Sequence, residues 1–262
     1  MIKFIATDLD GTLLPPKTGL PNEVFSLVDK LYERGIIFAP ASGRQLENLK
    51  VMFAPVLDKI AIIAENGGLA YYKGEIIYSN PTPKKSVIYA LNIIRGVSGL
   101  YPLLSGANCA YYESDNEDFV ATVKASYTNT QRVDDLEEVA DNDILKISVW
   151  DEVPPCANHG GKILPDKIKG LRVMVSGYDW LDVSVLNANK GLALKAVLDR
   201  FKISPADCVA FGDHMNDLEM LQLAGTAFVT ANAFAGLKEH IKNEVPSNAD
   251  YGVINKIKEY LK

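Results

Sequence analysis

"IATDLDGTLL", residues 5–14, opens like a buried strand and then changes character. Ile5 and Ala6 suit an interior, but Asp8 and Asp10 follow with one residue between them and a glycine behind. Like charges this close repel, and burying either is unfavourable without a partner. Residues two apart on an extended chain face the same way, so both acids can point into one pocket. A divalent cation would remove much of their repulsion, and a small set of oxygen ligands suits Mg2+. A lone Asp–Gly pair reads as a turn. D-x-D-G-T closing an apolar strand points to chemistry instead.

Around this stretch the chain alternates. "IKFIAT" (2–7) reads as a strand, and "NEVFSLVDKLYERG" (22–35) spaces Val24, Leu27, Val28 and Leu31 as one helical face, with Gly35 as its stop. "IIFAPA" (36–41) and "KIAIIAENGG" (59–68) are further strands flanking a helix in "QLENLKVMFAPV" (45–56). Near-continuous apolar strands alternating with helices predict a parallel sheet covered on both faces. "NPTPKKS" (80–86) then reads as a linker. Beyond it lie a helix (86–96), short strands (100–106, 108–114), a helix (117–128), a strand (144–152), a stretch of uncertain type and two more strands (171–177, 180–186). Short neighbouring strands predict hairpins and an antiparallel α+β module. Alternation resumes with a helix in "NKGLALKAVLDRF" (189–201), the strand "CVAFG" (208–212), a helix in "NDLEMLQLA" (216–224) and the strand "AFVTA" (227–231), before helical segments at the end. The expected fold is α/β: a Rossmann-like parallel sheet from residues 1–80 and 185–262, with an α+β domain inserted at 81–184.

Composition narrows the partners. Of 262 residues, 48% are hydrophobic and 23% charged, ordinary for a globular protein. The net charge of −6 and the lack of a basic block argue against nucleic acid. No apolar run approaches the ~20 residues that span a membrane, and "MIKFIATDLD" meets acids too early for a signal peptide. Cys109, Cys156 and Cys208 are far apart with no C-x-x-C, and read as reduced thiols in a cytoplasmic protein. No protein partner is evident.

Ligands of parallel α/β sheets bind beyond the carboxyl ends of the strands, and four polar signals occupy such places. Asp8, Asp10 and Thr12 follow the first strand. Ser42, Gly43 and Arg44 follow the second: a hydroxyl donor, a glycine that lets a ligand approach the backbone, and a charge. Lys190 opens a helix, the end where a cation is poorly placed for helix stability. "GDHMND" (212–217) follows "CVAFG", and Asp213 lies one residue past a buried strand, as Asp8 does. Taken singly, each has a plain alternative: a turn, a serine cap, a surface lysine, a capping Asp.

Together, in this order, the four stretches resemble the motifs of the haloacid dehalogenase superfamily of phosphotransferases. The length and α+β character of the insertion resemble the class IIB cap of its Cof-type sugar phosphatases. "ENGG" (65–68) and "TANA" (230–233) also look Cof-like, although the family's usual G-N-A stands here as Ala231–Asn232–Ala233. The double glycine in "NHGGKILPDKIK" (158–169) sits awkwardly in the helix such a cap has there. The resemblance implies that Asp8 is the nucleophile, that Asp10 is the acid and then the base, and that Thr12 orients Asp10. It implies Mg2+ held by Asp8, the Asp10 backbone carbonyl and Asp213. Ser42, Gly43 and Lys190 would bind the phosphate, with Asn216 and Asp217 supporting the metal shell. The leaving group, from a small phosphorylated metabolite such as a sugar phosphate, would meet Arg44, Asn66, Asn108 and Asp182. His159 and His214 have no part in this scheme. Two other readings stay open: a phosphosugar mutase on the same core, and a non-enzymatic phospho-acceptor or sensor.

Overall fold

The structure, a computed structural model, describes residues 2–262. β1 (Phe4–Thr7) is buried along its length. α1 (Glu23–Glu33) buries Val24, Leu27, Val28 and Leu31, the stripe its spacing marks. β2 (Ile37–Pro40) and α2 (Leu46–Met52) follow. β3 (Ala61–Ala64) pairs antiparallel with β4 (Leu69–Tyr72), and β4 with β5 (Glu75–Ser79). The sequence reading had no strand at 69–79. Its signal was there: Lys73 and Gly74 form a two-residue connection with positive φ at both, a common hairpin turn.

The second stretch contains α3 (Lys84–Arg95), β6 (Leu100–Gly106), β7 (Ala110–Tyr112), α4 (Glu117–Ser126), β8 (Thr130–Arg132), β9 (Ile144–Asp151), α5 (Gly160–Lys167), β10 (Leu171–Val175) and β11 (Trp180–Val185). Its six strands run in the order β10-β11-β9-β6-β7-β8, antiparallel except for the β7–β8 pair. The unforeseen β8 is a three-residue edge strand with two of its residues exposed, so it carries no hydrophobic pattern to find. The face made by Leu104, Ile147, Val149, Leu181 and Val183 is covered by Val87, Leu91 and Ile94 of α3. The segment of uncertain type resolves into α5, which starts at the double glycine.

The chain then supplies α6 (Lys190–Phe201), β12 (Cys208–Gly212), α7 (Leu218–Leu223), β13 (Thr226–Thr230), α8 (Ala235–His240), β14 (Glu244–Val245) and α9 (Gly252–Tyr260). Five strands form a wholly parallel sheet in the order β14-β13-β12-β1-β2. This is the α/β sheet that the alternation implies, with an α+β module between its halves. β3 joins β2 through isolated parallel bridges, Phe38–Ile60 and Ala41–Ile63, and is the first strand of its own small sheet.

The chain divides into two compact units. One takes in the chain up to Arg44, Leu49–Ser79 and Asn189–Lys262; the other is Gln45–Asn48 with Asn80–Ala188. The second boundary thus falls past 184, because β11 runs on to Val185 and Ala188 closes a turn onto it (N–H to Val185 O, 3.0 Å). Among the described residues no helix is long and apolar enough to cross a membrane.

Candidate active site

The order of the parallel sheet decides which loops meet. β1 lies between β2 and β12, so the residues after all three strands leave the same edge side by side. Asp8 continues the ladder (N–H to Phe211 O, 3.0 Å), and Ala41 does so on the other flank (N–H to Thr7 O, 2.8 Å). Asp8, Ser42 and Asp213 are brought together in this way, at the place where α/β sheets bind ligands.

Lys190 sits at the centre. It is completely buried, and its ammonium donates to Asp8 Oδ1 at 2.5 Å and to Asp217 Oδ1 at 2.6 Å. A surface lysine is thereby ruled out, and the odd placement of a cation at a helix start is explained by its two carboxylate partners. Asp217 is also fully buried; its Oδ2 accepts the N–H groups of Asp213 (3.0 Å) and His214 (3.1 Å). Carboxylate oxygens of Asp8, Asp213 and Asp217 lie within 4.8 Å of one another. Burial pushes the Asp8 carboxyl well above the ordinary aspartate range; Lys190 opposes the rise, while Asp217 and Asp213 add to it. Burial likewise raises Asp213, against the hydrogen bond from Thr12. Burial also works against the charge of Lys190, but Asp217 and Asp8 outweigh it and hold that pKa above the usual lysine value.

This acid set fits a divalent cation. Three carboxylates cluster beside one ammonium that bonds two of them, so negative charge is left over, and two of the three are disfavoured as anions by their surroundings. Asp217 already has both oxygens engaged, which makes Asp8 and Asp213 the better-placed ligands. Gly11 belongs to the same construction: a Cβ there would overlap the Asp213 carboxylate, and its φ is +85°.

The expected contact of Thr12 with Asp10 needs correcting, and the other predicted residues have partners of their own. Thr12 does not touch Asp10; its hydroxyl donates to Asp213 Oδ1 at 2.8 Å. The Asp10 carboxylate stands outside the three-acid cluster. It is 59% exposed and forms a two-pronged ion pair with Arg44 at 2.9 and 2.6 Å, since a residue past the strand end no longer keeps the strand's alternation. Arg44 thus answers Asp10 in this structure, and its pKa is raised chiefly by that bond. Lys190 is committed to carboxylates. Asn216 donates to Asn66 Oδ1 at 3.1 Å. In the second unit, Asp182 is buried and accepts from Lys146 (3.1 Å) and Ser148 (3.0 Å), as two-residue strand periodicity places them on one sheet face. Asn108 is exposed, and its carbonyl accepts from Asn129 at 2.5 Å.

A further contributor lies in the "TANA" stretch, whose contacts the sequence does not foretell. Asn232 donates to the Gly11 carbonyl at 2.8 Å and accepts the Asn248 N–H at 3.1 Å, pinning the loop after β1 from below.

Residues 5–257 match the profile of the haloacid dehalogenase-like hydrolases. The chain belongs to this family. It is a haloacid dehalogenase-type phosphatase of the Cof-type class IIB kind. It is 29% identical to the 5-amino-6-(5-phospho-D-ribitylamino)uracil phosphatase of Escherichia coli, over 100% of this chain and 97% of that one. It is 28% identical to the HMP-PP phosphatase of Cronobacter sakazakii, over 90% and 87%. A solved structure from Eubacterium rectale superposes with a TM-score of 0.87 at 28% identity, covering 99% of each chain. One from Thermotoga maritima gives 0.84 at 25% identity, covering 99% and 97%.

Proposed function

We propose that this haloacid dehalogenase-type phosphatase hydrolyses small phosphorylated metabolites, sugar and polyol phosphates foremost, in the cytoplasm, with Mg2+ and through an aspartyl-phosphate on Asp8. The observation that carries the reading is the Asp8 carboxylate at the mouth of β1, held by the buried Lys190 and faced by Asp213 and Asp217. Two relatives named for phosphatase activity on small phosphorylated compounds support it.

In this reading an Asp8 oxygen attacks phosphorus, and the bond from phosphorus to the leaving oxygen breaks. Asp10 gives that oxygen its proton, then takes one from the water that cleaves the aspartyl-phosphate, so the Asp8 carboxylate is restored and inorganic phosphate departs. Before it can do so Asp10 must leave Arg44, whose guanidinium then faces the substrate. Lys190 keeps Asp8 oriented and offsets its charge. Ser42 and the Gly43 backbone meet the phosphate oxygens, and Asp217 fixes Lys190 and the N–H groups at 213 and 214. Mg2+ held by Asp8 and Asp213 would neutralise charge shared by the nucleophile and the phosphate.

The test is a panel of phosphorylated metabolites compared by kcat/KM with Mg2+ present, alongside Asp8→Asn. The wild type should release inorganic phosphate, and the folded variant should lose turnover entirely. Substantial turnover by folded Asp8→Asn removes the nucleophile, and isomerised sugar phosphate in place of free phosphate turns the reading to a mutase.

A further inference from the structure

Three consecutive residues after β3 adopt left-handed backbone: Glu65 at φ +53°, Asn66 at φ +54° and Gly67 at φ +88°. Asparagine tolerates this region and glycine is at ease in it, but glutamate is not. Such strain persists only where the surroundings over-determine it, and it gathers at functional sites.

The surroundings are the phosphate-facing loops. The Glu65 N–H donates to Arg44 O at 3.1 Å and the Asn66 N–H to Ser42 O at 3.0 Å, so the turn is laced to the Ser42–Arg44 loop. Gly67 is pressed against the peptide that opens α6, and a Cβ there would overlap the Asn189 carbonyl beside Lys190. The Asn66 side chain lies between the other two: Oδ1 accepts from Asn216 at 3.1 Å, and Nδ2 packs on Gly43, where a Cβ would come within 2.9 Å. One strained turn therefore touches the loops that carry Ser42 and Gly43, Lys190 and Asn216.

We infer that Asn66 is a positioning residue: its side chain, fixed by the left-handed turn, sets the separation between the Gly43 backbone and Asn216, and phosphate affinity depends on that separation. The inference rests on the phosphatase reading above. It replaces the expectation that Asn66 meets sugar hydroxyls, because both ends of its amide are turned toward the phosphate-facing loops.

The experiment uses the full chain with Asn66→Gly. Glycine keeps the left-handed backbone without strain, so the melting temperature should hold or rise. Calorimetric titration with inorganic phosphate in Mg2+ should show the dissociation constant raised about tenfold or more, the scale of one spoiled hydrogen bond to a charged group. kcat/KM should fall by a similar factor for p-nitrophenyl phosphate and for sugar phosphates alike, mostly through KM. Combining Asn66→Gly with Asn216→Ala should cost little beyond the worse single variant, since the two act as a unit. Phosphate affinity within twofold of wild type overturns the inference. So does a loss confined to sugar phosphates, which would mark a leaving-group contact, and so does full additivity with Asn216→Ala. A wild type that binds phosphate without hydrolysing esters removes the phosphatase reading and leaves this one to the calorimetry; a wild type that binds no phosphate overturns both.

Discussion

Asp217 shows how much of the site is structural before it is chemical. It is fully buried and satisfies Lys190, itself fully buried, together with two backbone N–H groups. Removing one member of a buried ion pair leaves the other charge uncompensated, at about 3–5 kcal/mol. Asp217→Ala should therefore lower stability by that order in urea titrations, whereas Asp10→Ala, which deletes an exposed pair, should change it by less than about 1 kcal/mol. Equal losses from the two would mean that burial does not decide the energetics here. At this scale the sequence was legible wherever a residue type was out of character: acids after an apolar strand, a lysine at a helix start. The partners were not legible. Thr12 bonds across to Asp213, 201 residues away, and Asp10 to Arg44; such pairings are set by which strand tips are neighbours, and no local pattern carries that.

Among the elements, α5 is where local rules and tertiary packing disagree. Two glycines at its start lower helix propensity, by about 1 kcal/mol each against alanine. The helix start is closely packed at Gly160: a Cβ there would come within 2.7 Å of Leu181 Cδ1 and 3.0 Å of Asp151 Oδ2. The same approach lets the Gly160 N–H reach Asp151 Oδ2 at 2.8 Å, while the other oxygen of Asp151 meets His159 at 2.8 Å. Gly160→Ala should thus destabilise by about 1–3 kcal/mol, the usual effect of overpacking, although propensity alone predicts a gain. Thermal unfolding would show it, and a raised transition temperature would return α5 to the rule of propensity. Helices with a clear apolar stripe, α1 and α3, were readable from periodicity, and the fully buried strands β1, β3 and β12 from unbroken apolar runs. The hairpin of β4 and β5 and the short edge strands β8 and β14 were not, because half-exposed strands and two- or three-residue pairings leave no period to count.

For the whole molecule the question is whether Mg2+ acts at one place or on charge in general. The chain carries a net charge of −6, so any divalent cation relieves some self-repulsion, and a rise in melting temperature alone would not distinguish the two. The division into two units does. The three-acid cluster lies wholly in the unit containing β1 and β12. A ligand bound there at 100 times its dissociation constant adds about 2.7 kcal/mol, and that stabilisation should appear where the ligands are. Hydrogen exchange with millimolar Mg2+ should then slow amides at the ends of β1 and β12 and at the start of α6, with β6, β9 and β11 unchanged. Chelation should reverse it, and Asp213→Asn should weaken it at least tenfold in the Mg2+ titration. If protection instead rises evenly through both units, and Asp213→Asn makes no difference, the cation is screening surface charge and the acids around Lys190 are not its site.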